Sequence, residues 1–210
     1  MAGGVPIVYR GSGSGAIASF DYFDWASGAG YKIFYPSGTN DSVGKSNFLT
    51  DRSSVGSPFD DDAGYQTISQ ESNIENNFDI KFNKSAYVSG TAIISFSIRV
   101  SDGGSANLAC TIYHVNAAGT ETSIGSVTSV TRAPIGSEQY FRECVKIALT
   151  SKNFGVGESL RLETKFSQVN ATETASFWFD PTGRYTFTET ASGATINSRM
   201  ELHIPFKIDL

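Results

Sequence analysis

From Phe78 to the carboxy terminus, apolar and polar residues alternate with period two in segment after segment. Successive side chains of an extended strand point to opposite faces, so a chain written this way must bury one face of each strand and wet the other. NFDIKF places Phe78, Ile80 and Phe82 together. In GTAIISFSIRV, Ala92, Ile94, Phe96, Ile98 and Val100 share one face and Ser95, Ser97 and Arg99 the other. The Asp102-Gly103-Gly104 turn that follows predicts a hairpin into ANLACTIYHV, with Leu108, Cys110 and Ile112 inward. ETSIGSVTSVT then completes a three-strand meander. QYFRECVKIAL carries Phe141, Val145, Ile147 and Leu149 on one side, with Glu143 the exception among them. SLRLETKFSQ points Leu160, Leu162 and Phe166 inward, and ASFWFDP ends at Pro181. In INSRMELHIPFKIDL, Met200, Leu202, Ile204, Phe206, Ile208 and Leu210 alternate with polar residues. Pro205 cannot donate to a ladder, which predicts an edge position or a bulge there.

About eight strands in this stretch, two packed sheets' worth, predict an all-β antiparallel β-sandwich with a jelly-roll-like strand count. An immunoglobulin-like sandwich is the rival, but the Cys-Trp-Cys spacing of true immunoglobulin domains is absent. The 21 Gly, 15 Phe and nine Tyr against two Met agree with strands and turns rather than helices. A chain of 210 residues suits one main core.

Residues 1–75 read differently, as an extended, irregular amino-terminal arm preceding a sandwich over 76–210. Glycine and serine cluster at Gly11 to Gly15 and near Gly28, and turn-rich runs follow. Yet the arm holds Phe20, Tyr22, Phe23, Trp25, Tyr31, Ile33, Phe34 and Tyr35, too much aromatic surface to leave in water. It either packs back on the sandwich as extra strands or enters a neighbour. Phe20, Tyr22, Phe23, Trp25, Tyr31, Phe34 and Tyr35 are therefore the candidate partner-binding residues.

Patterns that would carry chemistry are few. The net charge of −5 and the lack of a basic run exclude a nucleic-acid footprint, and no apolar stretch is long enough to span a bilayer as a helix. The start lacks the basic and apolar regions of a secretory signal, so export by that route is not expected. His114 and His203 sit mid-strand without metal-ligand spacing and read as strand-surface residues; no metal and no cofactor are expected. GSGSG leads into no amphipathic helix, and VGKS lacks the earlier glycine of a phosphate loop. Asp60-Asp61-Asp62 lacks the alternate spacing of a calcium loop. No nucleophile elbow is present, so the chain is expected not to be an enzyme. Trp25, Tyr31, Trp178 and Tyr185 could stack on sugars, with core or interface packing the stronger reading. Cys110 and Cys144 read as reduced packing thiols, a bridge staying open if their strands pair.

FRECVKIALTSKNFGVGESLRLE, then FDPTGR from Phe179 to Arg184, then MELHIPFKIDL, in that order over roughly Tyr140 to Leu210, resemble a group of tailed-bacteriophage virion proteins. The resemblance implies a non-enzymatic virion structural protein with a jelly-roll sandwich, decorating or cementing the capsid. Its implied partners are the major capsid protein or other virion proteins and further copies of itself, trimers being common in the group. Its implied location is the virion, assembled in the host cytoplasm. The alternative is a receptor- or carbohydrate-binding β-sandwich of a phage tail.

Overall fold

The computed structural model describes residues 29–41, 44–52, 65–69, 73–101, 103–133, 137–168, 174–179, 181, 183, 185–190 and 192–207. Among them there is no helix. The strands are β1 (Ala29–Asp41), β2 (Gly44–Thr50), β3 (Tyr65–Ser69), β4 (Asn73–Lys81), β5 (Ala86–Val100), β6 (Ala106–Val115), β7 (Glu121–Thr128), β8 (Gln139–Phe154), β9 (Ser159–Gln168), β10 (Thr174–Trp178), β11 (Thr186–Thr188), β12 (Thr195–Asn197) and β13 (Glu201–Lys207). Eleven of them form one continuous sheet, and β11 and β12 form a separate two-stranded hairpin.

The large sheet curls over itself into two facing layers. In one, β5 pairs β8 on one edge; its other edge meets β13 over its first half and β10 over its last residues. β13 continues to β1 and β10 to β3. In the other layer the order is β1, β2, β4, β9, β6, β7. β1 belongs to both: residues 29–34 pair β13, and residues 35–41 pair β2. All pairings are antiparallel except the single β2–β4 bridge between Phe48 and Asp79.

The core lies between the layers and is built by the alternation. β6 and β9 alternate buried and half-buried residues along their whole lengths. Phe166 of β9 meets Phe177 of β10 with ring centroids 5.1 Å apart, and Phe78 of β4 meets Phe179 at 5.4 Å. Each such buried ring contributes on the order of 2–3 kcal/mol through apolar area removed from water.

Several local expectations need correcting. β5 and β6 do not form a hairpin: they lie in opposite layers, and the Gly103 turn, at φ 74°, passes the chain across the core. Two adjacent strands that each carry a full apolar face are as well served by facing each other as by pairing, and local alternation does not distinguish the two. Of the expected three-strand meander, only β6 and β7 pair as a hairpin. Within the stretch read as an arm, residues 29–41, 44–50 and 65–69 are strands of the sheet, in keeping with one of the two alternatives its sequence left open. His114 is buried, because it continues the inward parity of Leu108, Cys110 and Ile112. Cys110 is buried on β6, Cys144 is exposed on β8, and both are free.

Pro205 sits at a bulge inside the sheet. Between His203 and Phe206 the β13 ladder slips against β5, and between Val88 and Gly90 the β5–β8 ladder slips as well. The second slip adds a residue to β8, so its inward parity changes from Ile147 to Phe154. Gly90 occupies this point at φ 123°, with Pro205 Cγ 3.5 Å from where a β-carbon would stand. A side chain there would be strained whatever the space.

Candidate functional site

The most elaborated part of the described surface is the outer face of the β8–β5–β10 layer near Tyr140. Because Phe141 and Glu143 face the core, Tyr140 and Arg142 face outward, beside Ser97 and Arg99 of β5 and Ser176 and Trp178 of β10. Ser97, Ser176 and Trp178 are nevertheless buried. What shields part of this face is the β11–β12 hairpin.

Polar bonds hold the hairpin and its flanks to the sheet. Arg142 donates through Nη2 to Ser95 Oγ at 2.8 Å, and through Nη1 to Ser97 Oγ at 3.2 Å, the Asn197 carbonyl at 3.4 Å and the Arg199 carbonyl. Ser97 Oγ donates to the same Asn197 carbonyl at 2.6 Å. The Arg142 amide donates to Glu189 Oε1 at 3.1 Å, while Tyr140 and Thr190 exchange bonds through the Thr190 hydroxyl and both main chains. Burial pushes the Arg142 guanidinium downward in pKa, and the Glu201 carboxylate opposes that.

Aromatic packing adds to this. Phe187 of β11 stacks on Tyr140 with centroids 4.9 Å apart and planes 12° from parallel, and lies 4.6 Å from Trp178. Phe187 and Tyr140 stay half-buried, and Tyr185, at the foot of the hairpin, is 42% exposed. The rim is charged: Arg99 bonds Glu138, which also accepts from the Tyr140 hydroxyl at 2.7 Å. The Arg99 bond holds Glu138 below the usual carboxylate range, and burial raises Tyr140. Just inside, the buried Glu143 carboxylate pairs with Arg132 at 2.5 Å, and the Arg132 guanidinium lies over the Phe141 ring.

The two histidines each meet a glutamate. His114 Nε2 lies 2.8 Å from Glu158 Oε2, which also accepts the Gly155 amide at 2.6 Å, so the pair closes the β8–β9 turn. His203 Nε2 lies 3.3 Å from Glu201 Oε2. No group of three or more potential metal ligands occurs among the described residues.

Of the sequence candidates, Phe20, Tyr22, Phe23 and Trp25 lie outside the described residues, as does Asp60-Asp61-Asp62. Tyr31 is 38% exposed and donates its hydroxyl to the Thr91 carbonyl at 3.0 Å. Tyr35 is half-buried, 5.9 Å from the Arg199 guanidinium. Phe34 is a core residue, 6.2 Å from Phe206, and is not available to a partner. Tyr31 and Tyr35 share one face of β1 and Phe34 takes the other. Tyr140, Arg142 and Phe187 were not singled out by sequence. The outward parity of Tyr140 and Arg142 was readable, but not the hairpin that returns over them from 47 to 55 residues later.

No family model matches the chain, and no curated protein matches it either. Solved structures do. An α-amino acid ester hydrolase matches at 9% identity and a TM-score of 0.53, over 83% of this chain and 36% of that one. An aminopeptidase from the marine sediment archaeon Thaumarchaeota archaeon matches at 8% identity and a TM-score of 0.53, over 86% and 37%. A CocE/NonD family hydrolase from Staphylococcus aureus aligns at 10% identity and a TM-score of 0.44, over 82% and 41%. The chain thus spans well under half the length of these proteins. The first two share its fold, and this overturns the expectation of a non-enzyme. That expectation leaned on a sandwich without a recognised motif, and the same fold occurs within hydrolases.

Proposed function

We propose that this chain is a structural β-sandwich of a virus particle, attached to the shell and to its neighbours through the aromatic segment that leads into β1. The observation that carries the reading is the position of β1. It enters the body between β13 and β2 and pairs in both layers, so Phe20 to Trp25 are tethered a few residues from a strand that cannot leave without opening the sandwich. The segments that resemble tailed-bacteriophage virion proteins supply β8, β9 and β13, the framework around β5 and β4. Aromatic side chains are the usual anchors of such contacts.

Co-sedimentation with particles built from the shell protein encoded alongside it tests this. Removal of residues 1–28, which leaves β1 whole, is expected to abolish binding while the thermal unfolding of the body stays within a few degrees. Undiminished binding by the shortened chain would sink the proposal.

The shared fold favours a second reading, a sandwich working within a hydrolase that acts on esters or peptides. Turnover of amino-acid esters or aminoacyl arylamides by the purified chain, alone or with a co-encoded catalytic chain, distinguishes it from the first.

A further inference from the structure

We infer that the stacked Tyr140–Phe187 pair, backed by Trp178 and flanked by Tyr185, is the docking surface for the Phe20–Trp25 segment of a second copy of this chain. The inference rests on the attachment reading above and names the partner of the leading segment.

The surface has the right chemistry. Phe187 is held against Tyr140 on one side and Trp178 beneath, so its orientation is fixed before anything binds; part of it and of Tyr140 stays open, and Tyr185, two residues earlier in the chain, is exposed. Rings set in place in this way receive another ring by offset or edge contact at centroid distances of roughly 4.5–7 Å. The rim charges are balanced, Arg99 by Glu138 and Arg132 by Glu143, so the match is one of rings: the leading segment, SFDYFDW, carries four aromatics within six residues.

The reach of the chain selects a second copy over the segment's own body. Ala29 pairs with Lys207 and Lys207 with Tyr87, whereas Tyr140 pairs with Arg99. Trp178, beneath the stack, pairs with Ser97, and two residues of β5 are taken up by the bulge between Val88 and Ile93, so the surface lies eight to ten ladder steps from the point where the leading segment departs, about 26–33 Å at some 3.3 Å per residue. Phe20, nine residues before Ala29, spans about 32 Å only when fully extended, and Phe23 and Trp25 reach only about 22 and 14 Å, so the segment as a whole cannot cover its own body's surface. A neighbour's segment has no such limit.

Sedimentation velocity on the full chain tests the inference by complementation. Trp25→Ser with Phe20→Ser removes the anchors, and Phe187→Ser removes the stack. Each variant alone is expected to associate at least tenfold more weakly than the parent. An equimolar mixture is expected to recover a dimer, because one variant supplies the segment and the other the surface. Phe187→Leu, which keeps the apolar cover over Trp178 and loses the stack, serves if the serine variant fails to fold. Parent-like association of both Phe187 variants, or a mixture that stays monomeric, overturns the inference. So does association that is indifferent to these changes while millimolar oligosaccharide alters Trp178 fluorescence in a Trp25→Phe background, which would make the stack a glycan surface. Particle co-sedimentation is read separately: an attached chain whose Phe187 variants associate like the parent retains the attachment reading and loses only this one.

Discussion

Gly125 of β7 lies so close to Ala148 of β8 that a β-carbon on the glycine would stand 2.7 Å from the Ala148 carbonyl oxygen, with Ile147 and Leu149 side-chain carbons at 2.9 Å. Two edge strands of the curled sheet thus meet at this seam. An added methyl meets main chain rather than the movable end of a side chain. Gly125→Ala is expected to cost about 1–3 kcal/mol and lower Tm by roughly 3–10 °C. Differential scanning calorimetry checks it. Gly119→Asn is the control, since nothing lies within 4 Å and asparagine tolerates its φ of 83°; a change of more than about 1 kcal/mol there would discredit the contrast.

Arg142 serves two hydroxyls and two carbonyls with one planar fork. Arg142→Met is expected to cost about 2–4 kcal/mol, and Arg142→Lys to recover little of it, because an ammonium cannot reproduce the fork. Hydrogen exchange should show protection lost across residues 185–198 before the β6–β9 ladder. Uniform loss everywhere would argue against a local latch.

Arg132→Leu strands the Glu143 carboxylate in the core and should cost about 2 kcal/mol or more, given that the arginine is partly exposed. Adding Glu143→Leu should return the stability to within about 1 kcal/mol of the parent. A double variant no better than the single would show that the pair is not what matters.

The Glu158 carboxyl is held below its ordinary value near 4.5, first by His114 and then by the Gly155 amide. A carboxyl depressed on folding stabilises the fold above its unfolded value, and that contribution disappears as pH falls through the folded value. The difference in Tm between the parent and Glu158→Gln should therefore shrink as pH falls below about 4.5. A difference that keeps growing below that pH would contradict the turn clamp.

Burial pushes the Cys110 thiol far up, while Cys144 is exposed. Iodoacetamide should modify Cys144 alone in the native chain and both thiols after denaturation, as mass spectrometry would show. A native chain that resists modification until it is reduced would mean a bridge.

β4 to β9 and β13 were readable because each carries a largely one-sided alternation, whereas the short β11 and β12 carry none and were missed; Pro205 announced an edge or a bulge by lacking a donor. Which strand lies beside which was not readable. β5 and β6 have the same one-faced pattern whether paired or opposed, and only the chain's crossing at Gly103 separates the cases. β1 escaped notice because Ile33, Phe34 and Tyr35 are apolar on successive positions and Pro36 and Gly38 follow; that is the price of a strand that leaves one layer for the other. The Tyr140 surface was unreadable for a different cause: Phe187 meets Tyr140, and Arg142 meets the Asn197 carbonyl, across long stretches of sequence that no periodicity encodes.

The double membership of β1 also sets how the molecule answers tension. Force applied through the leading segment, against a point such as Ser137 at the far end of β5, runs along β1. Its bonds to β13 and β2 lie across that direction, so they are loaded in shear together rather than peeled one at a time. Single-molecule pulling from residue 1 should meet one abrupt, high-force rupture, while pulling apart the β6–β7 hairpin should show gradual yielding at low force. A chain tethered this way is braced along the line on which its own anchor would tug.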